Sequence, residues 1–385
     1  MKIKILNAVE SLDSSYGGPA NSVPNLCLSL NNIDGVSTVL FSLDDENAGN
    51  IIIESNNLTW YKKRYIGPSK IKYSANLIKH LKNLVIQENI DIIHVHNLWN
   101  YFSYACYKAA IELNIPLVFS IRGSLYPWSL SQRAFMKKSS WRIFQRKALL
   151  TCERVHVTCD DEKFAVENLI DYNKFILLSN GVEIPNNIMD KNEAREILDI
   201  PIDKKCFLFL SRIHPKKGID YLLRALVHIK DEVIVLIVGP VTDEKYYLKC
   251  KKMLNDIPSN IKVTFVKEVD SITKWKYYSA SDLFILPSHT ENFGIVIAEA
   301  LVSGTPVLTT KNTPWNEINH INAGYCIDLN DNNVLFAMND FLSLNVQEQI
   351  EMGERGSHFV RKNFLWSSIA EEMNKHYCQI LESKC

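Results

Sequence analysis

The sequence predicts an α/β protein built from two doubly wound units, each with a parallel sheet covered by helices on both faces. Two observations predict this fold class. Short, almost wholly apolar runs such as "DIIHVH" and "VIVLIVG" alternate with helix-like stretches such as "NLIKHLKNLVIQEN", and such runs are typical of strands buried on both faces of a sheet. The chain also has 385 residues, which is more than one hydrophobic core usually serves.

The composition excludes several other classes of protein. Hydrophobic residues make up 46% and charged residues 22% of the chain, as in a globular protein. The 43 basic and 43 acidic residues balance, so no overall charge favours nucleic acid. No apolar run reaches the roughly 18 to 20 residues of a membrane helix, and "MKIKILNAVESLDSS" turns polar too soon for a signal peptide. We therefore expect a cytoplasmic protein.

The nine cysteines are scattered and form no CxxC pair. Cys27, Cys206 and Cys326 lie in apolar runs, so we interpret them as small buried hydrophobic residues in a reducing compartment. We expect neither a disulfide framework nor a structural metal.

The polar segment "GVEIPNNIMDKNEAREILDIPIDKK" separates the two strand-rich halves. It predicts a first domain over residues 1–185 and a second over 186–365. Residues 366–385 read as a final amphipathic helix, which could pack back on the first domain. In doubly wound sheets, ligands bind at the carboxyl ends of the strands. We therefore look for the functional residues in the loops that follow the strands.

The stretch "HTENFGIVIAEALVSGTPVLTT" carries two carboxylates on a predicted loop and a predicted buried helix. Glu291 follows the strand "LFILPS", and Glu299 lies among Ile, Val, Ala and Leu. A buried carboxylate is costly unless it is paired, and sugar or ribose hydroxyls are suitable donors to it. The free N–H groups of Phe293, Gly294 and Ile295 at the helix start would suit a phosphate. In the alternative reading, Glu299 pairs with a buried Arg or Lys and Glu291 is solvated.

The E-x7-E spacing, with "ENFG" at its start and "EALVSGTPV" at its end, resembles the signature of glycosyltransferase family 4 (glycosyl transferases group 1). The resemblance implies a retaining enzyme of GT-B architecture, in which two doubly wound Rossmann-like domains face an inter-domain cleft. It further implies that Glu291 contacts hydroxyls of the donor sugar and that Glu299 contacts the nucleotide ribose. The backbone of residues 293–295 would hold the sugar and the distal phosphate.

The segment "FLFLSRIHPKKGIDYLLRAL" places Arg212 and Lys217 in a loop after a strand, where the family has an arginine and then Lys-Gly. Departure of a nucleoside diphosphate builds negative charge that a metal or fixed cations must neutralise. The chain has no D-x-D motif. We therefore assign Arg212 and Lys217 together with Glu291 as catalytic residues and expect no metal and no cofactor. The alternative is an ordinary solvated Lys-Lys-Gly loop.

In the first half, Gly17 and Gly18 resemble the family's glycine loop, which implies a place among the donor-binding residues. A plain turn is the alternative, and the pattern is not the G-x-G-x-x-G fingerprint of NAD enzymes. His96 ends a later strand, whose end helps to line the acceptor side in similar proteins. Arg122 follows another strand, at a position that lies near the donor sugar in the family, and we assign both residues to the acceptor side. A core histidine is the commoner interpretation of His96. Many family members have a histidine at the position of Arg122, where a cation could face a phosphate.

Residues 133–147 contain six basic side chains and no acidic one. Their spacing predicts a basic amphipathic helix. Such a helix fits an anionic membrane surface, and a solvated helix packed on its own domain fits as well. The basic residues are Arg133, Lys137, Lys138, Arg142, Arg146 and Lys147.

The resemblance implies a retaining, metal-independent hexosyltransferase that moves a sugar from a nucleoside diphosphate sugar to a hydroxyl of a glycan or lipid-linked acceptor. Synthesis of a bacterial surface polysaccharide, lipopolysaccharide or O-antigen would suit such an enzyme, either in the cytoplasm or peripherally at the inner face of the membrane. A nucleotide-sugar epimerase or phosphorylase on the same fold, and a non-catalytic nucleotide-sugar-binding protein, remain alternatives.

Overall fold

The chain divides into two compact units. The first contains Met1–Gly181 and Trp366–Cys385, and the second contains Val182–Leu365. The division after Gly181 lies close to the boundary that the sequence predicts at residue 185, and the last helix belongs to the first unit. The computed structural model describes residues 2–12, 18–44, 58–64, 73–185 and 188–383.

The first unit is built around one parallel sheet. Its strands in the described residues are Ile3–Val9 (β1), Val36–Asp44 (β2), Thr59–Arg64 (β3), Ile92–His96 (β4), Leu117–Ser120 (β5), Arg154–Val157 (β6) and Phe175–Leu177 (β7). They pair in parallel in the order β3-β2-β1-β4-β5-β6-β7. The strand order reverses between β1 and β4, and in such sheets a ligand crevice opens outside the carboxyl ends of the strands at the reversal.

The second unit repeats this plan. Within the described part of the chain its strands are Lys205–Leu210 (β8), Val233–Val238 (β9), Ile261–Val266 (β10), Leu283–Leu286 (β11), Val307–Thr310 (β12) and Gly324–Ile327 (β13). They are parallel, in the order β10-β9-β8-β11-β12-β13. The reversal lies between β8 and β11, so the loops that follow these two strands are where a ligand is expected.

Helices connect the strands of both units. Those of the first unit are Gly18–Asn31 (α1), Leu77–Gln87 (α2), Tyr101–Leu113 (α3), Pro127–Ser131 (α4), Ala134–Ser140 (α5), Arg146–Thr151 (α6) and Asp160–Glu167 (α7). Those of the second unit are Lys191–Ile197 (α8), Ile219–Leu226 (α9), Glu244–Met253 (α10), Thr273–Ala280 (α11), Ile295–Val302 (α12), Glu317–His320 (α13), Asp331–Ser343 (α14) and Val346–Asn363 (α15). The chain ends with Trp366–Glu382 (α16), in the first unit. No helix of the described residues is both long and apolar enough to cross a membrane.

The strands are apolar on both sides because each sheet has a core on each face. In β1, Leu6 and Ala8 pack into one hydrophobic cluster. Ile3 and Ile5 point to the other face and pack against α1 and α16, including Tyr377. Successive side chains of a strand alternate between faces, so covering both faces requires a continuous apolar run. The predicted α/β fold with two parallel sheets is confirmed.

Two local features differ from the prediction. The edge strand β3, "TWYKKR", has no apolar run, because an edge strand with one polar face does not need one. Residues 134–151 are helical, as predicted for most of that segment, but Trp141–Gln145 forms a π-helical turn between α5 and α6. In this wider helical turn, the side chains of Phe144 and Gln145 both point into the protein and are buried.

Candidate functional site

The loop after β8 presents an exposed arginine. Arg212 is exposed, two residues beyond the end of β8. Within the described chain its guanidinium has no hydrogen-bond or ion-pair partner. The next residue is fixed, because the N–H of Ile213 donates to the carbonyl of Pro240 at 2.8 Å. An arginine on an anchored loop offers a planar fork of N–H donors to an anion such as phosphate.

A short 3-10 turn, Pro215–Lys217, follows and directs Lys217 into the protein. The turn ends at Gly218, whose φ is +70° and whose missing Cβ would lie 2.0 Å from the carbonyl oxygen of Pro287. Only glycine permits both the left-handed backbone and this approach. The loop after β8 therefore packs tightly against the loop after β11, as expected at the reversal point of the sheet.

Lys217 and Glu291 form a shielded ion pair between these two loops. Lys217 Nζ lies 2.5 Å from Glu291 Oε1, and each side chain is only 10% exposed. The Ser288 hydroxyl donates to the same carboxylate oxygen at 2.8 Å. Burial acts to raise the pKa of Glu291, but the charge and hydrogen bond of Lys217 outweigh it and hold the pKa below its ordinary value. Glu291 is therefore an ionised carboxylate and is not solvated.

The start of α12 offers backbone donors beside this pair. Gly294 is the N-cap, with φ of 74° and no side-chain cap. Among the described residues, the amides of Phe293, Gly294 and Ile295 donate to no acceptor. Phe293 is held in place by burial of its ring and by the Trp315 indole N–H, which donates to its carbonyl. Unpaired N–H groups at a helix start favour an anion.

Glu299 lies one turn further along α12 and already has two partners. Lys274 Nζ lies 2.6 Å from Oε1, and the Tyr278 hydroxyl donates to Oε2 at 2.9 Å. Burial raises the pKa of Tyr278 well above its ordinary value, and the charge of Glu299 adds to this effect. The pairing with a lysine is the alternative that the sequence left open. A carboxylate has lone pairs beyond these two bonds, so a ribose contact by Glu299 stays a prediction.

The glycine loop of the first unit is described only in part. Gly17 lies outside the described residues. Gly18 begins α1, and a Cβ built on it would have no atom of the described residues within 4 Å. These residues therefore show no steric requirement for glycine there, and a donor contact at Gly18 stays a prediction.

His96 and Arg122 belong to a buried polar cluster at the carboxyl ends of β4 and β5. The Arg122 guanidinium donates to Asn180 and to His96 Nδ1, the latter at 3.2 Å. His96 Nε2 lies 3.0 Å from the carbonyl oxygen of the Asn7 side chain. Burial lowers the pKa of Arg122 to about 10 and that of His96 well below its ordinary value. His96 is fully buried with both nitrogens paired, so in this conformation it could affect an acceptor only through Arg122.

A directed hydrogen-bond chain lies behind this cluster. His156 Nε2 lies 2.8 Å from the carbonyl of Leu178, which can only accept, so the proton is on Nε2. His156 Nδ1 then accepts from Ser120, Ser120 accepts from His94 Nε2, and His94 Nδ1 accepts from the Tyr377 hydroxyl. Every link is 2.6 to 2.8 Å long. The chain fixes the two histidines as neutral tautomers.

Three non-glycine residues at these strand ends have a left-handed backbone. They are Asn97 (φ 102°), Trp99 (φ 83°) and Arg122 (φ 49°). Trp99 is fixed by bonds from its N–H to Gln145 and from its ring N–H to the Ser124 carbonyl. Backbone strain of this kind persists only where the surroundings enforce it, and it clusters at functional sites.

The basic segment exposes apolar side chains beside its charges. Phe135 is 84% exposed and Ile143 is 76% exposed. Lys137 differs from the other basic residues because it donates to the Ser129 carbonyl and lies over the ring of Trp99. The exposed basic residues are Arg133, Lys138, Arg142, Arg146 and Lys147. We call this surface, residues 133–147, the basic apolar patch.

Sequence reasoning missed several residues of these sites. Ser288, His214 and the Lys274–Tyr278 pair contact the predicted residues, and His94, His156 and Tyr377 form the buried chain. In the sequence, only the two histidines of "HVH" on one strand indicate that a buried hydrogen-bond chain could be present. In the described residues no three or more His, Cys, Asp or Glu side chains are grouped as metal ligands.

Comparisons with known proteins match both units. Residues 16–184 match the sequence family "Glycosyltransferase Family 4", and residues 190–359 match "Glycosyl transferases group 1". An uncharacterized glycosyltransferase of Methanocaldococcus jannaschii is 27% identical over 371 residues, covering 94% of each chain.

Solved structures share the fold. A sucrose-phosphate synthase from Thermosynechococcus elongatus has a TM-score of 0.79 at 19% identity, over 99% of this chain and 100% of that one. HepE from Anabaena, solved in complex with UDP and glucose, has a TM-score of 0.75 at 18% identity, over 98% and 100% of the two chains. With both units matched by the family and the fold shared over the whole length, the chain belongs to the GT-B glycosyltransferases of family 4.

Proposed function

We propose that this glycosyltransferase transfers a sugar, with retention of anomeric configuration, from a nucleoside diphosphate sugar to a hydroxyl of a glycan or lipid-linked acceptor. The observation that carries the proposal is the grouping in the second unit of Arg212, the Lys217–Glu291 pair and the unpaired amides at the start of α12. Cations and helix N–H groups fit the two phosphates, and a carboxylate fits the sugar hydroxyls. The UDP and glucose bound to the HepE neighbour support this choice of donor class.

In this proposal the cations and backbone N–H groups bind the phosphates, and the two carboxylates bind hydroxyl groups of the donor. Arg212, which has no anionic partner among the described residues, binds the diphosphate directly. Lys217 shares its charge between the phosphate and Glu291, while Glu291 orients the donor sugar. Phe293, Gly294 and Ile295 donate to the distal phosphate. Glu299 binds the ribose with the lone pairs that Lys274 and Tyr278 leave open.

The chemical step is a front-face substitution. The bond from the anomeric carbon to the diphosphate oxygen breaks and its electron pair leaves with the diphosphate, which makes the carbon oxocarbenium-like. The acceptor oxygen bonds to that carbon on the same face, and its proton passes to the departing phosphate oxygen. Arg212 and Lys217 stabilise the charge that develops on the diphosphate. We propose that these fixed cations replace a metal ion.

The first unit supplies acceptor binding, in which Arg122 and, through Arg122, His96 take part, while Gly18 keeps the donor-binding role that the family resemblance implies. The basic apolar patch docks this unit on an anionic membrane surface, where a lipid-linked acceptor would be found. Its exposed Phe135 and Ile143 suit the acyl boundary, and the surrounding cations suit anionic headgroups. We place the enzyme in the synthesis of a bacterial surface polysaccharide, such as lipopolysaccharide or O-antigen.

The test of the transfer is a panel of nucleoside diphosphate sugars, scored by nucleoside diphosphate release with and without lipid-linked acceptors. Release that depends on both a donor and an acceptor is expected. Release without acceptor, or with inorganic phosphate as acceptor, would favour an epimerase or phosphorylase. Donor binding in a thermal-shift assay without any turnover would favour a binding protein and overturn the proposal.

Membrane docking is tested by sedimentation with vesicles of phosphatidylglycerol and phosphatidylcholine. The variant Arg142→Glu/Arg146→Glu should weaken binding about tenfold or more, since each basic side chain near an anionic surface contributes about 1 kcal/mol. The matched control, Lys245→Glu/Lys252→Glu, reverses two exposed charges on α10 of the second unit. Equal losses in both variants, or no binding by the wild type, would contradict docking through the patch.

A further inference from the structure

The turn that carries Lys217 is capped by a histidine side chain. His214 precedes the turn, and its ring Nδ1 lies 3.1 Å from the backbone nitrogen of Lys216. A backbone N–H can only donate, so Nδ1 must carry the lone pair and the ring proton must be on Nε2. The carbonyl of His214 also accepts from the N–H of Lys217 at 2.9 Å. His214 therefore accepts hydrogen bonds from the backbone N–H groups of both Lys216 and Lys217.

The capped turn also joins the two loops of the site. The Lys216 carbonyl accepts from the N–H of His289 at 2.8 Å and lies 3.0 Å from the Ser288 hydroxyl. From the same turn the Lys217 side chain reaches Glu291. Because Ser288 also bonds Glu291, a shift of the turn would move both ends of the ion pair.

We propose that His214 is a positioning residue, whose neutral imidazole caps the turn and thereby holds Lys217 against Glu291. Protonation of the ring would turn Nδ1 into a donor that faces the N–H of Lys216, and the cap would open. The proposal rests on the proposed function only for its effect on turnover. Its structural content, the placement of Lys217 by the cap, stands apart from any donor.

The charges around His214 favour the neutral ring. Arg212, Lys216 and Lys217 lie on its own loop, and Asp243 faces it from the start of α10. Burial lowers the pKa of His214, the three cations lower it further, and Asp243 offsets only part of this. The cap is therefore closed at neutral pH and opens as the pH falls below the ordinary range of histidine.

Two substitutions separate the cap from the rest of the ring. In His214→Asn, the side-chain oxygen takes the place of Nδ1, and asparagine is a strong N-cap that does not titrate. In His214→Gln, the amide reaches the place of Nε2 but loses the cap. We expect His214→Asn to keep kcat/KM for the donor within about twofold of the wild type and His214→Gln to lower it about tenfold, from the usual cost of a lost cap. The KM for the acceptor should not change.

The pH profile gives the second readout. In the wild type, kcat/KM for the donor should fall on the acid side as His214 gains a proton. His214→Asn should lack this limb down to the pH at which Glu291 is protonated. Thermal melts at each pH, on both proteins, remove any contribution from acid unfolding. Identical acid limbs in the wild type and His214→Asn would overturn the proposal, and so would equal activity of the Asn and Gln variants.

A measurement without donor keeps this result separate from the proposed function. Reductive methylation at pH 7.5, read by mass spectrometry, reports access to Lys217 Nζ. Labelling should be slow in the wild type and in His214→Asn, and several-fold faster in His214→Gln. Equal labelling of Lys217 in all three proteins would overturn the positioning role. If no donor is turned over by the wild type, the proposed function fails and the labelling still decides the role of His214.

Discussion

The two units have the same strand order around their reversal points, yet the arginine side chains in their strand-end loops differ in whether they have partners. In the first unit, Arg122 and His96 bond to each other and to asparagine side chains. In the second unit, Arg212 is exposed and has no partner within the described chain, and α12 begins with unpaired amides. At the first edge the Arg122 cation is already bonded to side chains, although its Nε has no partner among the described residues, and the second edge retains an exposed cation for an anion.

Topology therefore locates a ligand site in each unit but does not determine which ligand binds there. Both reversal points are positions where doubly wound folds bind ligands. Side chains then decide whether the edge binds a charged group or stabilises itself. Four experiments test this contrast between the units.

The largest effect is expected from Lys217→Ala, which leaves Glu291 as a shielded carboxylate without its cation. Removal of one partner of a buried pair costs about 3–5 kcal/mol, so the free energy of unfolding of the second unit should fall by about that much. Urea denaturation measures it. The control, Lys204→Ala, removes an exposed partner of Glu232 and should cost no more than about 1 kcal/mol. A loss in Lys217→Ala no greater than in the control would contradict the buried pair.

Arg212→Ala should lower kcat/KM by about 10²–10³, or about 2.7–4 kcal/mol of barrier, the usual cost of losing one donor to a developing charge. The melting temperature should not change, because the side chain is exposed and has no partner among the described residues. Nucleoside diphosphate release measures the rate. Near-normal turnover would mean that another cation of the second unit binds the diphosphate.

Acid should destabilise the first unit through its buried histidines. Burial, aided by Arg122, lowers the pKa of His156 from 6.5 to about 3. Between these values the unfolded chain binds the proton and the folded chain does not, so stability is fully present above pH 6.5 and is lost as the pH falls toward 3. The slope for this one residue is at most about 1.4 kcal/mol per pH unit.

Urea denaturation of the wild type between pH 8 and 5 should show this fall. His156→Gln keeps a donor for the Leu178 carbonyl but cannot titrate, so its stability should depend less on pH. A slope as steep as that of the wild type would show that His156 is not the group responsible.

Chelation should have the smallest effect. We propose that Arg212 and Lys217 neutralise the diphosphate, so turnover in EDTA should equal turnover in added Mg²⁺ or Mn²⁺. The assay is the same release of nucleoside diphosphate, after dialysis against the chelator. Loss of activity in EDTA with recovery on addition of metal would contradict this prediction. It would show that a metal ion helps to neutralise the diphosphate.

Strands that are buried on both faces of the sheet could be predicted from the sequence, and the polar edge strand β3 could not. Runs such as "VIVLIVG" must be apolar because both of their faces are covered. The strand β3, "TWYKKR", is fixed by its pairing with β2, which no local pattern reveals. Gln145 of the π-helical turn likewise has a distant partner, since its side-chain oxygen accepts from the N–H of Trp99.

The loops that carry Arg212, Lys217 and Glu291 could be predicted because each follows an apolar strand. Their partners could not, since Lys217 and Glu291 are 74 residues apart and Glu299 is paired from another helix. One fully buried contact of the first unit, from Tyr377 to His94, spans 283 residues. The sequence suggested an acceptor role for His96, which stays a prediction, but it could not show that the side chain is buried behind Arg122.

The return of α16 to the first unit has a consequence for synthesis on the ribosome. Ile3 and Ile5 pack in the same cluster as Met373 and Tyr377, so the first unit lacks part of its interior until the codons for α16 are translated. The second unit is an insertion whose ends meet, since the N–H of Val182 donates to the carbonyl of Phe364 at 2.7 Å. The later half of the chain can therefore finish folding before the earlier half does, and a nascent chain stalled before Trp366 leaves one face of the amino-terminal sheet covered by α1 but not by α16.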